Sequence, residues 1–200
     1  MATKTNICNM AIAHLGTSKA IGNIDTDTSV EGITCKLFYD EARKATLKDF
    51  PWDFATKEAA LGLVEELDDQ EWDYSYRYPS DCIQMRRIKS GIRNDHRQSI
   101  VPYKLIRDNT GLLIYSDEEN AEAEYTEDID AASFFPSDFV LAFSYRLAYF
   151  LAPTLARGDT GLKREMIQYY KMHIAQAQAN ALNEEKLDEE PGSEFERSRM

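Results

Sequence analysis

Trp72, Tyr74, Tyr76 and Tyr78 alternate with Asp73, Ser75 and Arg77. A strict period of two puts every aromatic on one side of an extended strand, a pattern no helix can use. The segment therefore demands a sheet, and Pro79 ends its strand. Further strands are predicted at residues 82–89, 101–107, 112–115 and 121–125, with a polar loop at 91–99 and a turn at 68–70. Asp108-Asn109-Thr110-Gly111 has the composition of a hairpin turn, with glycine where a positive φ is wanted. Residues 55–66 are rich in Ala, Leu, Glu and Lys, which favours helix by composition.

Outside that region the apolar period changes to the helical one. Residues 3–15 carry Ile7, Met10, Ala11 and Leu15 on one face, with His14 beside it and Gly16 placed to close the helix. In the next helix Thr28 and Glu31 have the spacing of a capping box. Val30, Ile33, Leu37, Phe38 and Ala45 form its expected inward face, with Lys36, Asp40 and Arg43 opposite. Glu41 falls inside the apolar arc. Pro51 should stop this helix at Phe50, and Trp52 and Phe54 should plug the end of the core. A third helix opens at Pro136 with Ser137 as N-cap. It is apolar almost all round through Phe139, Val140, Leu141, Phe143, Leu147, Phe150 and Leu151, as a central helix would be. Arg146 is its exception and the expected partner of Glu41, and Pro153 should bend the helix or begin a new turn. Gly158 and Asp159 re-cap the chain into a fourth helix at 162–187, striped by Met166, Tyr169, Tyr170, Ile174, Ala177 and Ala181. His14 and His173 are expected to be packing residues.

Three pieces, ICNMAIAHLG, TSVEGITCKLFYDEARKATLKDFPWDFATK and YPSDC, read in this order and spacing, resemble the tail tubular protein A family of short-tailed bacteriophages. The resemblance runs from about residue 3 to about residue 187 and rests on packing residues. It implies a head-to-tail adaptor, a structural virion protein rather than an enzyme. It further implies a ring of twelve copies between the portal and the tail nozzle, with tail fibres as further neighbours and DNA passing through. It also implies that residues 55–66 are extended. The expected fold is α+β: a mainly α four-helix bundle (1–53 and 131–187) with an inserted small antiparallel sheet (54–130) and a C-terminal arm (188–200).

A formal charge of −12 argues against tightly held nucleic acid, which needs Lys and Arg to neutralise phosphates, while an acidic wall lets DNA slide. Cys8, Cys35 and Cys82 imply no disulfide framework. No signal peptide or membrane-length apolar run is evident, so assembly in a reducing host cytoplasm is expected. No phosphate loop, nucleophile elbow or zinc spacing occurs; no cofactor, metal or catalytic residue is expected. The alternatives are a tail-associated polysaccharide or peptidoglycan hydrolase, requiring two carboxylates about 5 to 9 Å apart in a cleft, or another connector or tail-completion protein.

Charge divides unevenly across the predicted sheet. Arg86, Arg87, Lys89, Arg93 and Arg97 lie in a basic stretch, and Asp117, Glu118, Glu119, Glu122 and Glu124 in an acidic one. The two are either solvated neighbours in one sheet or opposite sides of a subunit boundary, where unlike charge would fix register; a nucleic-acid patch on the basic strands is a third reading, disfavoured by the overall charge. The tail is rich in acids and too polar to order itself alone. It is either a solubilising tail or an arm onto the portal, carried by Leu187, Phe195, Arg197 and Arg199.

Overall fold

The structure, a computed structural model, describes residues 2–17, 19–67, 71–92 and 100–184. It contains helices α1 (Lys4–His14), α2 (Val30–Lys48), α3 (Ser137–Leu155) and α4 (Thr160–Glu184). Between α2 and α3 come seven strands: β1 (Thr56–Ala60), β2 (Leu63–Glu66), β3 (Tyr74–Arg77), β4 (Cys82–Ile88), β5 (Lys104–Arg107), β6 (Leu112–Ser116) and β7 (Glu122–Glu127). They form two antiparallel sheets, of order β1-β7-β4 and β2-β3-β6-β5. This α+β fold overturns the expectation of a mainly helical four-helix bundle with one small inserted sheet. The chain divides into a helical unit (Met1–Thr56 and Thr126–Leu182) and a strand unit that includes Lys57–Tyr125.

The second sheet arises because residues 55–66 are extended, as expected, but not continuous. The Leu61 amide donates to the Ala121 carbonyl, 2.8 Å, whereas the next residue's carbonyl, that of Gly62, accepts from Arg77, 2.8 Å. The chain thereby changes sheets between neighbouring residues, with no side chain at Gly62 to bury on either. The strand unit has its own core of Leu61, Tyr76, Met85, Ile88, Ile114, Ala121, Ala123 and Tyr125. Tyr76, from the alternating segment, is 1% exposed. Its hydroxyl donates to the Glu118 carbonyl (2.6 Å) and accepts from the Ala121 amide (3.4 Å), which pins the β6–β7 turn. The Asp108–Gly111 hairpin turn joins β5 to β6 as predicted, with Asp108 accepting the Thr110 and Gly111 amides and Gly111 at φ +150°.

In the helical unit α3 packs against both α1 and α2. Phe139, Phe143, Leu147 and Leu151 are fully buried, and Pro153 is accommodated in the last turn without ending the helix. Trp52 and Phe54 close the core as anticipated, meeting the Phe139 ring edge-on at 5.2 and 4.9 Å. The Trp52 indole N–H donates to the Thr46 carbonyl, 3.2 Å. Ser137 is the first helical residue rather than the cap. Asp159 caps α4 by accepting the Gly161 and Leu162 amides. Met166, Tyr170, Ile174 and Ala177 are the buried residues of α4, while Tyr169 is exposed. The expected continuation of α4 to residue 187 lies outside the described residues.

Three sequence expectations for α2 are corrected. Its N-cap is Ser29, whose hydroxyl accepts the Gly32 amide at 3.1 Å, rather than Thr28. Asp27 fixes that cap by accepting both the amide and hydroxyl of Ser29. It comes so close to Gly32 that a Cβ there would sit 2.7 Å from the Asp27 Cβ. Second, the helix faces the other way: Cys35, Tyr39, Ala42, Arg43, Thr46 and Leu47 are buried, while Val30, Ile33 and Leu37 are 61%, 59% and 67% exposed. Thr34 and Thr46 on the inward arc donate to the carbonyls four residues back, 2.6 and 2.7 Å, and so meet their own hydroxyls, whereas the buried Tyr39 hydroxyl has no hydrogen-bond partner among the described residues. Third, Glu41 is exposed and Arg146 pairs with Asp49 (2.5 Å) and Tyr170 (2.7 Å). Tyr170 also donates to Asp49, closing a three-membered network.

Arg43, expected on the solvent side, is the most buried cation described, at 3% exposure. Its Nη1 donates to Asp128 Oδ1 and to the Ile129 carbonyl, both at 2.6 Å, and Asp40 adds a longer contact at 3.4 Å. Burial pushes the Asp128 carboxyl up, but Arg43 and Lys44 outweigh it and leave it below its ordinary value. Removing Arg43 would leave Asp128 with Lys44 and partial contact with solvent, and the Ile129 carbonyl without its donor. Arg43→Ala should therefore cost about 1–3 kcal/mol of stability by chemical denaturation.

Where α1, α3 and α4 meet, Tyr145 stacks on His14 (3.9 Å between centroids, 11° between planes) and on His173 (5.0 Å, 3°). The Ser144 hydroxyl donates to the Leu141 carbonyl, so its oxygen is left to accept from His14 Nε2, 2.9 Å away. Burial, and then the nearby His173, lower the His14 pKa. A histidine that resists protonation only when folded gives the unfolded chain the greater proton uptake. Stability must then fall as pH drops below the ordinary imidazole range, around 6.5. His14→Gln should flatten the slope of thermal midpoint against pH between about 7 and 5.

Candidate subunit interface

The basic and acidic residues singled out in the sequence come from β4, β7 and the turn before β7. Arg87 projects from β4 and Glu124 from β7, neighbours in the three-stranded sheet, so an antiparallel ladder sets them side by side. Arg87 donates through Nε and Nη2 to Glu124 Oε2, 2.8 and 2.6 Å. Lys89, just past β4, donates to Glu58 at 2.7 Å and lies 3.6 Å from Glu122. The hydrogen bond to Glu58 raises the Lys89 pKa, with burial opposing it. Burial lowers the Arg86 pKa, and the Glu124 charge opposes that shift. Asp117 accepts the Asp73 amide at 3.1 Å. Glu118 and Glu119 stand in the turn that Tyr76 pins.

Arg87, Lys89, Glu122 and Glu124 are thus satisfied by each other and by Glu58 within one chain, and Asp117, Glu118 and Glu119 form a separate acidic turn. Arg93 and Arg97 lie outside the described residues, as do Leu187, Phe195, Arg197 and Arg199 of the tail. Like Arg87 and Lys89, Asp81 is engaged inside the strand unit: it accepts from Lys57 (2.5 Å) and the Tyr125 hydroxyl (3.0 Å). The Lys57 contact, with that of Tyr125, holds its carboxyl below the ordinary range against the cost of burial.

The surface that sequence reasoning missed is on α2. Val30, Ile33 and Leu37 recur at three- and four-residue intervals and form one outward apolar stripe. Phe38 beside them is half-buried and stacks on Phe150, 5.9 Å between centroids. The stripe was visible in the sequence, but as a candidate core face, because apolar residues occur nearly all round this helix. Its true inward arc mixes small residues and self-satisfied threonines with Tyr39, Leu47 and the distantly paired Arg43, a composition that periodicity alone undervalues.

In the strand unit a cavity of about 570 Å³ is lined by Ala59, Leu61, Arg77, Tyr78, Cys82 and Leu112, among others, and by no carboxylate. It does not supply the acid pair that a glycosidase needs. Arg77 there donates to Thr110 at 2.8 Å and to Asp108 at 3.4 Å. Among the described residues no three His, Cys, Asp or Glu side chains converge as a metal site, and no described helix is long and apolar enough to cross a membrane.

The two faces of α2 can be told apart by one substitution made twice. Leu37→Ala should change stability by no more than about 0.5 kcal/mol, as at an exposed site. Leu47→Ala, on the fully buried face, should cost about 2–5 kcal/mol in the same denaturation experiment. No family model matches this chain, and no curated protein matches it either.

Proposed function

We propose that the protein is a structural component of a short-tailed phage particle, a head-to-tail adaptor that forms a ring between portal and tail nozzle. The observation that carries this proposal is the outward stripe of Val30, Ile33 and Leu37 on a helix whose other face is buried. Aligned apolar side chains left in water mark a surface built to meet another protein. The order of packing residues that resembles the tail tubular protein A family supports the same role. In it, side chains hold copies and neighbours together around a passage for DNA, and the formal charge of −12 keeps the genome from adhering during ejection.

Portal from the same particle provides the test. The full-length chain should bind it in a pull-down or by mass photometry, and a truncation ending at Asn183 should lose that binding while keeping its circular dichroism and thermal midpoint. Failure of the full-length chain to bind portal would refute the adaptor role. Unchanged binding by the truncation would refute the arm.

A further inference from the structure

The four-stranded sheet ends in two edges of opposite charge. One edge is β2, Leu63-Val64-Glu65-Glu66, with two acids and no base; the other is β5, Lys104-Leu105-Ile106-Arg107, with two bases and no acid. Every residue of β2 is exposed, Leu63 and Val64 at 53% and 43%, and Leu105 on β5 is exposed at 45%. Each strand has a ladder partner on one side only, so each presents a row of backbone donors and acceptors outward. Among the described residues Glu65, Glu66 and Arg107 enter no ion pair. Lys104 reaches Glu71 only at 3.4 Å, with both side chains about half exposed, a contact weak enough to exchange.

From this geometry we infer that β5 of one copy of this chain adds to β2 of the next, continuing the sheet from copy to copy. Direction permits it. Neighbours in this sheet run antiparallel throughout, so β2 and β5 themselves point in opposite directions. Repeating the molecule side by side therefore sets β5 antiparallel to the next β2. Charge then selects this arrangement over the symmetric ones. A two-fold pairing of β2 with β2 would set Glu65 and Glu66 among their own copies, and β5 with β5 would oppose Lys104 and Arg107, like charges across a ladder that repel. With Lys104 of β5 opposite Glu66 of β2, the antiparallel contact sets unlike charges against each other at that end, brings Leu105 diagonal to Leu63 on the same face and leaves Arg107 at the far end opposite Leu63. The β2 ladder to β3 is irregular at Val64, yet Glu65 and Glu66 remain in register with Ser75 and Tyr74, so the acidic end of the edge is still regular strand. Such a contact joins two different patches and leads to a ring where the rotation closes. Only that closure rests on the adaptor role; the edge pairing stands on the sheet itself.

The experiment is a charge exchange in the full-length chain, read by sedimentation equilibrium, with circular dichroism as the folding control. Glu65→Lys with Glu66→Lys, and separately Lys104→Glu with Arg107→Glu, should each raise the dissociation constant for self-association about tenfold or more. An equimolar mixture of these two variants should associate as wild type does, because every β5–β2 contact in an alternating array is again between unlike charges. A wild-type chain that stays monomeric up to about 1 mM, far above the usual range of specific contacts, would overturn the inference. So would variants that associate as well as wild type, or a mixture that fails to recover. Portal binding is scored separately. Edge-dependent association without portal binding would refute the adaptor role alone, and portal binding by variants that associate normally would refute the edge pairing alone.

Discussion

A guanidinium taken out of water has to be met by fixed acceptors, and Arg43 is the place where this chain faces that requirement. It is 3% exposed and is met by Asp128 and the Ile129 carbonyl, the residues that follow β7 directly. Seven described strands precede this point, and the contact fixes where the chain returns to α2. Lys44 on Asp128 (3.1 Å) and Lys4 on Asp130 (2.6 Å) extend the same cluster, tying the return segment to α1 and α2 together. A buried ion pair contributes little net stability compared with an apolar replacement, but one broken pair is expensive. Its use here is therefore positional: it specifies which way α2 turns.

The orientation of α2 decides what the protein shows its surroundings. With Arg43, Thr46 and Cys35 inward, Val30, Ile33 and Leu37 have no place in the core. The small inward residues let α2 lie close to α3, where Tyr39 meets Phe143 edge-on at 5.2 Å. The aromatic group around Phe139 supplies the apolar area that the polar arc of α2 does not. Core and outward stripe are thus two consequences of one rotation of the helix.

In the strand unit the comparable decision is made at Leu61 and Gly62, where consecutive residues bond into different sheets. The split produces a three-stranded sheet with its charges paired across strands, Arg87 on Glu124 and Lys89 on Glu58. It also produces a four-stranded sheet whose outer strands keep theirs unpaired save for the long Lys104–Glu71 contact. One sheet is electrostatically closed on itself and the other is open at both ends. Of the charged residues that stand out most in the sequence, Arg87, Lys89, Glu122 and Glu124 belong to the first and satisfy one another together with Glu58. The shorter runs at 63–66 and 104–107 hold the open charge.

What the sequence determined by itself was local. Period and punctuation were enough for α1 with its Gly16 terminus, for α3, for the Asp159-capped start of α4, for the Trp52–Phe54 plug and for the strands from β3 to β7, since each depends on residues near in the chain. Three decisions belonged to the tertiary structure alone. Which arc of α2 faces inward depends on whether Arg43 finds acceptors 85 and 86 residues away. Arg146 takes Asp49 rather than Glu41 because Tyr170 of α4 bridges to the same carboxylate. The number of sheets depends on where two adjacent residues send their hydrogen bonds. In each case the sequence contained the groups but not their partners, and a polar group's place in a fold is set by the partner it reaches.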